Sequence, residues 1–250
     1  MPRTSAAAKT STTDPPTARD ILAELKPLGA DGYARILKNH GVNDPVYGVK
    51  IEYLKKIQKR IKTDHRLALD LYASGIYDAQ YLAGLIADDA KMTPKDLARW
   101  LETANSHTLC AFTVAWVAAG SPHGWAVGRE WIDSKDPSTA ATGWNTLSGV
   151  VALKDDADLD LPELKRLLAR VARTIHTQSD VVRYAMNGFI IALGSYVAPL
   201  TADALAAAKK IGVVSIDMGE TACKVPDAAA QIAKVKQRGA IGKKRKTVKC

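Results

Sequence analysis

Cysteine is scarce in this chain. Cys110, Cys223 and Cys250 are the only three in 250 residues. They are far apart and odd in number, and none forms a C-x-x-C pair. That pattern supports neither a disulfide framework nor a cysteine zinc site, and a reducing, cytoplasmic setting is the simplest reading. The chain also lacks an apolar run of about 18 residues, so no membrane span and no membrane partner are expected. The opening MPRTSAAAKTSTTDPPTARD has no hydrophobic h-region and is not a secretory signal. It matches a transit peptide weakly, because its three basic residues are offset by two Asp. Rich in Ala, Ser, Thr and Pro, residues 1–16 are expected to form a disordered tail.

Motifs for common chemistries are missing too. There is no Walker A loop, no G-x-G-x-x-G, no H-E-x-x-H and no G-x-S-x-G. No cofactor and no metal site are therefore expected. The five histidines, His40, His65, His107, His123 and His176, are scattered. His107 and Cys110 stand three apart, the spacing of a nucleophile and its base on one helix face. No third, orienting residue accompanies them, and a small buried core cysteine is the preferred reading of Cys110.

What the chain does have is positive charge, and its location matters more than its size. The net charge is +9. From Asp227 to Cys250 there are eight Lys/Arg and one acid, 8 − 1 = +7, within 24 residues. A basic end of this kind points to a polyanion, with nucleic acid the leading candidate. The bland alternative is a solvated tail that only aids solubility.

Helical patterning runs nearly throughout. Thr93-Pro94-Lys95-Asp96 sets an N-cap, a first-turn proline and an N3 acid in order. Leu97, Trp100, Leu101 and Ala104 follow at i, i+3, i+4 and i+7. In KIEYLKKIQKRIK (50–62), Ile51, Leu54, Ile57 and Ile61 share one side of a basic helix. Further helices are expected at 17–27, 31–39, 65–73, 77–88, 106–119, 122–132, 138–153, 161–175, 181–197, 201–211 and 226–238. The stretch 212–225 is the one candidate for an extended segment. Short helices with tight connections predict an all-α fold, a superhelical array of HEAT-like antiparallel helix pairs, with a globular bundle as the competing architecture. The expected division is a tail at 1–16, the helical domain at 17–238 and a basic flexible tail at 239–250.

Five tryptophans lie between residues 100 and 144. At least three are expected to fill the core, leaving room for one to stack on a base. In VVRYAMNGFIIALGSY (181–196), Arg183, Tyr184 and Asn187 interrupt an apolar helix, and Asn187-Gly188 weakens its interior by propensity. Either close packing or a polar contact explains them.

The order and spacing of several segments resemble the AlkD-type family of DNA alkylation repair proteins. They are YGVKIEYLKKIQKRIK (47–62), YDAQYLAGLIADD (77–89), TPKDLARWLETANSHTLCAFTVAW (93–116), TAATGWNTLSGVVAL (139–153) and VRYAMNGFIIALGSY (182–196). The ending IGVVSIDMGETACKVPDAAAQIAKVKQRGAIGKKRK (211–246) resembles the terminal segment of one branch. The resemblance implies a HEAT-like superhelix whose concave basic face cradles duplex DNA. Active members excise N3- or N7-alkylated purines, which are cationic and leave readily. Tryptophan rings and one carboxylate stabilise the positive charge that develops on the sugar.

This sequence departs from that pattern at the decisive places. The family's tryptophan and carboxylate fall at His107 and Ala111, and a second tryptophan falls near Gly188. No Asp or Glu lies anywhere between residues 103 and 128. Losing such an electrostatic partner costs about 100- to 1,000-fold in rate. Asp180 and Glu130 are the acids placed to substitute from neighbouring helices.

The expectation is therefore a monomeric binder of double-stranded DNA, damaged or non-canonical, with its glycosylase carboxylate lost. It would be nucleoid-associated in a bacterium. Candidate DNA contacts are His107, Thr108, Arg183, Tyr184 and Asn187, with Lys55, Lys59 and Arg60 on the 50–62 helix and Lys243, Lys244, Arg245 and Lys246 at the end. The rivals are an active glycosylase and a HEAT-like scaffold for protein partners, the latter predicting an exposed apolar groove.

Overall fold

A computed structural model describes residues 15–217 and 224–250. Of the expected N-terminal tail only residues 15 and 16 fall within it, and Cys223 lies outside the described residues. Thirteen α-helices and no strand are present among the described residues. They are α1 (Ala18–Leu25), α2 (Asp31–Asn39), α3 (Ile51–Ile61), α4 (His65–Tyr72), α5 (Tyr77–Ile86), α6 (Pro94–Thr103) and α7 (His107–Gly120). They continue as α8 (Gly124–Trp131), α9 (Pro137–Leu153), α10 (Leu161–Thr174), α11 (Asp180–Tyr196), α12 (Thr201–Ile211) and α13 (Ala228–Gln237). An isolated bridge joins Gly29 and Val49. Of the stretch expected to hold an extended segment, 212–217 and 224–225 form no strand.

Helix starts follow local chemistry. The Thr93 hydroxyl accepts from Asp96 N, and Asp96 closes the capping box. Ser106 caps α7 by accepting from Leu109 N. Asp136, Asp160 and Asp227 cap α9, α10 and α13. Each such cap satisfies an amide that the helix itself leaves without a partner.

The helices stack as pairs. One row, α5, α7, α9, α11 and α13, forms a continuous inner layer, with α9 packed on both α7 and α11. The helices between them, such as α4, α8 and α12, lean on its other side. Tight crossings need small residues. A Cβ on Gly84 of α5 would stand 2.3 Å from Thr113 Cγ2 of α7, so only glycine admits this approach. Two hydrophobic clusters fill the space. One runs from Ile21 to Trp131 and the other from Ile132 to Ile232. Trp100, Trp131 and Trp144 are buried in them, as expected, while Trp116 and Trp125 are half-buried.

Buried polar groups tie the N-terminal loops to the start of α7. Gln80 Nε2 donates to Tyr72 O and Thr103 O, while its Oε1 accepts from Asn105 N at 2.8 Å. Asn105 in turn accepts from Asn43 N and donates to Gly75 O. Asp78, fully buried, accepts from Tyr47 N and Val49 N at 2.6 and 2.7 Å. Burial pushes its carboxyl above the ordinary range, and these backbone bonds oppose that push. The result is a fixed platform under residues 105–108.

Candidate functional site

Helix α7 is irregular where it matters. Its first turn is α-helical, and Cys110–Val114 then forms a π turn in which Ala115 N reaches back five residues to Cys110 O. The Ala111 carbonyl within that turn accepts from Asn145 Nδ2 of α9 at 2.9 Å. A π turn inserts one residue into the helical period, and such turns recur at functional sites. Leu109, Cys110, Thr113 and Val114 are buried, whereas Phe112 is 45% exposed. Spacing of three from Leu109 suggests a core position for Phe112, but the buried face runs through Leu109, Cys110, Thr113 and Val114 and leaves Phe112 on the opposite side.

Phe112 faces a cleft of about 450 Å3 between α7, α9 and α11. His107, Thr108 and Ala111 line it from α7, and Asp180, Val181 and Tyr184 from α11. Val181 and Tyr184 are themselves 37% and 38% exposed. The cleft therefore presents two aromatic rings and a branched aliphatic to solvent. His107 is exposed and its ring stands close to Gly41. A Cβ at Gly41, where φ is +80°, would meet His107 Cε1 at 2.8 Å. Thr108 Oγ1 reaches His40 O at 3.4 Å.

The carboxylates of this cleft come from outside α7. Asp180 starts α11, and Asp217 lies in the segment after α12. Asp180 Oδ2 accepts from Asp217 N at 3.2 Å, and Oδ1 stands 3.4 Å from Arg183 Nη1. Glu130, the other acid weighed as a substitute, is exposed on α8 and does not line the cleft. Among the described residues no Lys or Arg lines it either, so they do not place the expected basic surface in this central cleft.

Several sequence-based candidates have structural partners instead. Asn187 is buried and its Nδ2 donates to Pro226 O at 2.8 Å, which fixes the lead into α13. Expected as a DNA contact, its amide is instead turned into the protein interior in this structure. Arg183 donates to Ser215 O and to Gln178 O (2.8 Å) besides pairing with Asp180, so its guanidinium is already coordinated. Arg60 pairs with Glu24 at 3.0 Å. Lys55 and Lys59 are exposed on α3, away from the cleft lining.

Residues 239–250, expected as a flexible tail, lie against the inner helices. Gly242 N donates to Ser195 O of α11, and Arg245 N donates to Ala152 O of α9. Arg245 and Val248 line a second cleft of about 220 Å3 that shares Ala111, Phe112 and Asn145 with the first. Trp116 and Tyr196 complete its aromatic wall. Lys244 and Lys249 are held by Asp156 and Asp89. Lys243, Arg245 and Lys246 are exposed.

The Cys110–His107 pair has no nucleophile's geometry. Cys110 Sγ faces Leu101 O at 3.6 Å, and burial pushes its thiol above the ordinary value. A thiolate is disfavoured there, the opposite of activation. Among the described residues no cluster of His, Cys, Asp or Glu is arranged to hold a metal ion.

The comparisons with known proteins agree with this architecture. A solved structure with a TM-score of 0.84 and 32% sequence identity covers 94% of this chain and 100% of its own. It is described as a new family of proteins related to the HEAT-like repeat DNA glycosylases with affinity for branched DNA structures. Two uncharacterized proteins, Lin0241 of Listeria innocua and Lmo0209 of Listeria monocytogenes, are each 34% identical over 220 residues. That span is 86% of this chain and 95% of each relative. The sequence model of the DNA alkylation repair enzyme family matches residues 21–229. With its HEAT-like helical pairs and a match across most of its length, this chain belongs to the DNA alkylation repair enzyme family.

Proposed function

We propose that the protein binds branched or locally distorted DNA and does not excise bases. One observation carries the reading: the cleft places Phe112, Val181 and Tyr184 in solvent beside His107 and Ala111, the positions where the resemblance puts an excising member's tryptophan and carboxylate. At residue 111 stands alanine. Exposed aromatic rings suit unstacked bases, because every base has a π-face, and each such stack is worth about 1–3 kcal/mol. Branch points and mispaired sites offer unstacked bases, and a regular duplex does not. Phosphate contacts fall to exposed cations outside this cleft, chiefly Lys243, Arg245 and Lys246, of which Arg245 lines the adjoining second cleft. The related solved structure, with its affinity for branched DNA, supports the same reading.

A second reading has its own observation. Asp180 brings a carboxylate into the cleft opposite His107 and Ala111. An acid there is placed to stabilise a cationic sugar if the lesion sits between α7 and α11. Its existing pairing with Arg183 and the Asp217 amide weakens it for that role.

The test is a competition between a four-way junction and a linear duplex of the same sequence, run beside a base-release assay on DNA containing 7-methylguanine. Junction preference without base release supports the first reading. Release that disappears in Asp180→Asn supports the second. No DNA binding at any salt, with folded protein, refers the apolar cleft to a protein segment instead.

A further inference from the structure

The C-terminal segment holds five cations, Lys243, Lys244, Arg245, Lys246 and Lys249. The structure divides them into two groups. Lys244 and Lys249 are turned inward, with side chains only 15% and 13% exposed. Each ammonium is shared between one carboxylate and one helix-end carbonyl. Lys244 Nζ lies 2.8 Å from Asp156 Oδ1 and 3.0 Å from Val151 O, in the last turn of α9. Lys249 Nζ lies 2.7 Å from Asp89 Oδ1 and 2.8 Å from Ala87 O, just past α5. Carbonyls at a helix C-terminus lack an intrahelical partner and sit at the negative end of the dipole, so a lysine matches both needs.

Main-chain bonds fix the register between these two points. Gly242 N is held by Ser195 O at 2.9 Å and Arg245 N by Ala152 O at 2.8 Å. Val248 packs over Gly149. The segment thus crosses the C-terminal ends of α11, α9 and α5 in turn. Lys243, Arg245 and Lys246 are left outward, and none of them makes an ion pair among the described residues. Arg245 stands beside Trp116 and Tyr196, at the edge of the aromatic cleft.

We infer that residues 242–250 form a pinned strap whose outward Lys243, Arg245 and Lys246 bind the phosphates of a DNA arm beside the aromatic cleft, with Lys244–Asp156 and Lys249–Asp89 as its pins. The inference rests on the DNA-binding reading above. It assigns two acids, Asp89 and Asp156, a supporting role in binding a polyanion. A disordered basic tail needs neither acid, and simple charge counting assigns both a repulsive effect.

These alternatives predict opposite signs for the full-length Asp89→Asn, Asp156→Asn double variant. It carries two fewer negative charges, so charge counting predicts tighter binding to a four-way junction. The strap predicts weaker binding, by about tenfold, with the slope of log K against log salt flattened by about two to three. Binding as tight as wild type or tighter, with an unchanged slope, overturns the inference. Limited trypsin digestion gives a second, DNA-free readout. Cleavage at Lys243–Lys246 should be slow in the wild type and fast in the double variant, with thermal unfolding monitored in both. Equal, rapid cleavage in both overturns the strap. A wild type that binds no DNA but protects its C-terminus overturns the DNA-binding reading, and with it the phosphate role of the strap, while the pinning stands.

Discussion

Asp180 and Ala111 line one cleft from two different helices, so the carboxylate that α7 lacks reaches the cleft from the start of α11, beside Asp217 of the segment after α12. That acid is not idle. It accepts from Asp217 N and faces Arg183, and its negative charge is partly compensated before any ligand arrives. Asp180→Asn should leave junction affinity within about threefold of wild type, since an edge charge contributes little net affinity. Gel-shift titration checks this, and a large loss of binding would make Asp180 a ligand-contacting residue instead.

Phe112 and Tyr184 are solvent-facing, so replacing them tests binding without disturbing the core. Phe112→Ala and Tyr184→Ala should each lower junction affinity by about 1–3 kcal/mol if each stacks on a base. Thermal unfolding should barely move, since exposed side chains contribute within about 0.5 kcal/mol. Affinity for linear duplex should change less than affinity for the junction. Equal losses on both DNAs would mean the rings contact a feature common to all duplexes.

Gly41 has φ = +80° and stands against His107. Gly41→Ala forces a Cβ into a left-handed backbone and against the imidazole, at a backbone cost of about 1–2 kcal/mol. For a chain of this size each kcal/mol lowers the melting temperature by about 2–4 °C. Calorimetry checks the stability loss. A displaced His107 should also weaken junction binding, and the variant His107→Ala should reproduce that effect without the stability loss.

Burial raises the Cys110 thiol, and so its thiolate population at neutral pH is below that of a free cysteine. The sign follows directly: its labelling should lag that of the exposed Cys250 and should rise only at pH above the ordinary thiol range. Labelling a Cys223→Ser variant across pH 7 to 10, read by mass spectrometry, checks this. Cys110→Ala should keep DNA binding. Fast labelling of Cys110 at neutral pH would mean an activated thiol.

Much of this was legible because it is local. Thr93 with Asp96 and Ser106 before α7 announce helix starts within four residues of chain. The apolar stripes of α3 and α6 do the same for buried faces. The π turn at Cys110–Val114 was not legible, because its residues fit an ordinary helix equally well and the Asn145 bond to Ala111 O comes from 34 residues away. Phe112, three residues after Leu109, fits an apolar stripe by spacing yet stands exposed in the cleft, because the small residues of α7 form its buried face. Asn187 announced itself as a polar intrusion, but its partner, Pro226, lies 39 residues away. The cations of the C-terminus were plain as charge. Their division into inward and outward groups depends on Asp89, Asp156 and helix-end carbonyls as far as 162 residues earlier in the chain.

The most direct measurement is a fluorescence anisotropy titration of a labelled four-way junction and of its linear duplex arm, each at 50 and 200 mM salt. The account predicts at least about tenfold tighter binding to the junction at both salts, a gap of about 1.4 kcal/mol. Both affinities should fall steeply with salt as phosphate contacts are screened. Equal affinity for junction and duplex, or binding insensitive to salt, would contradict it.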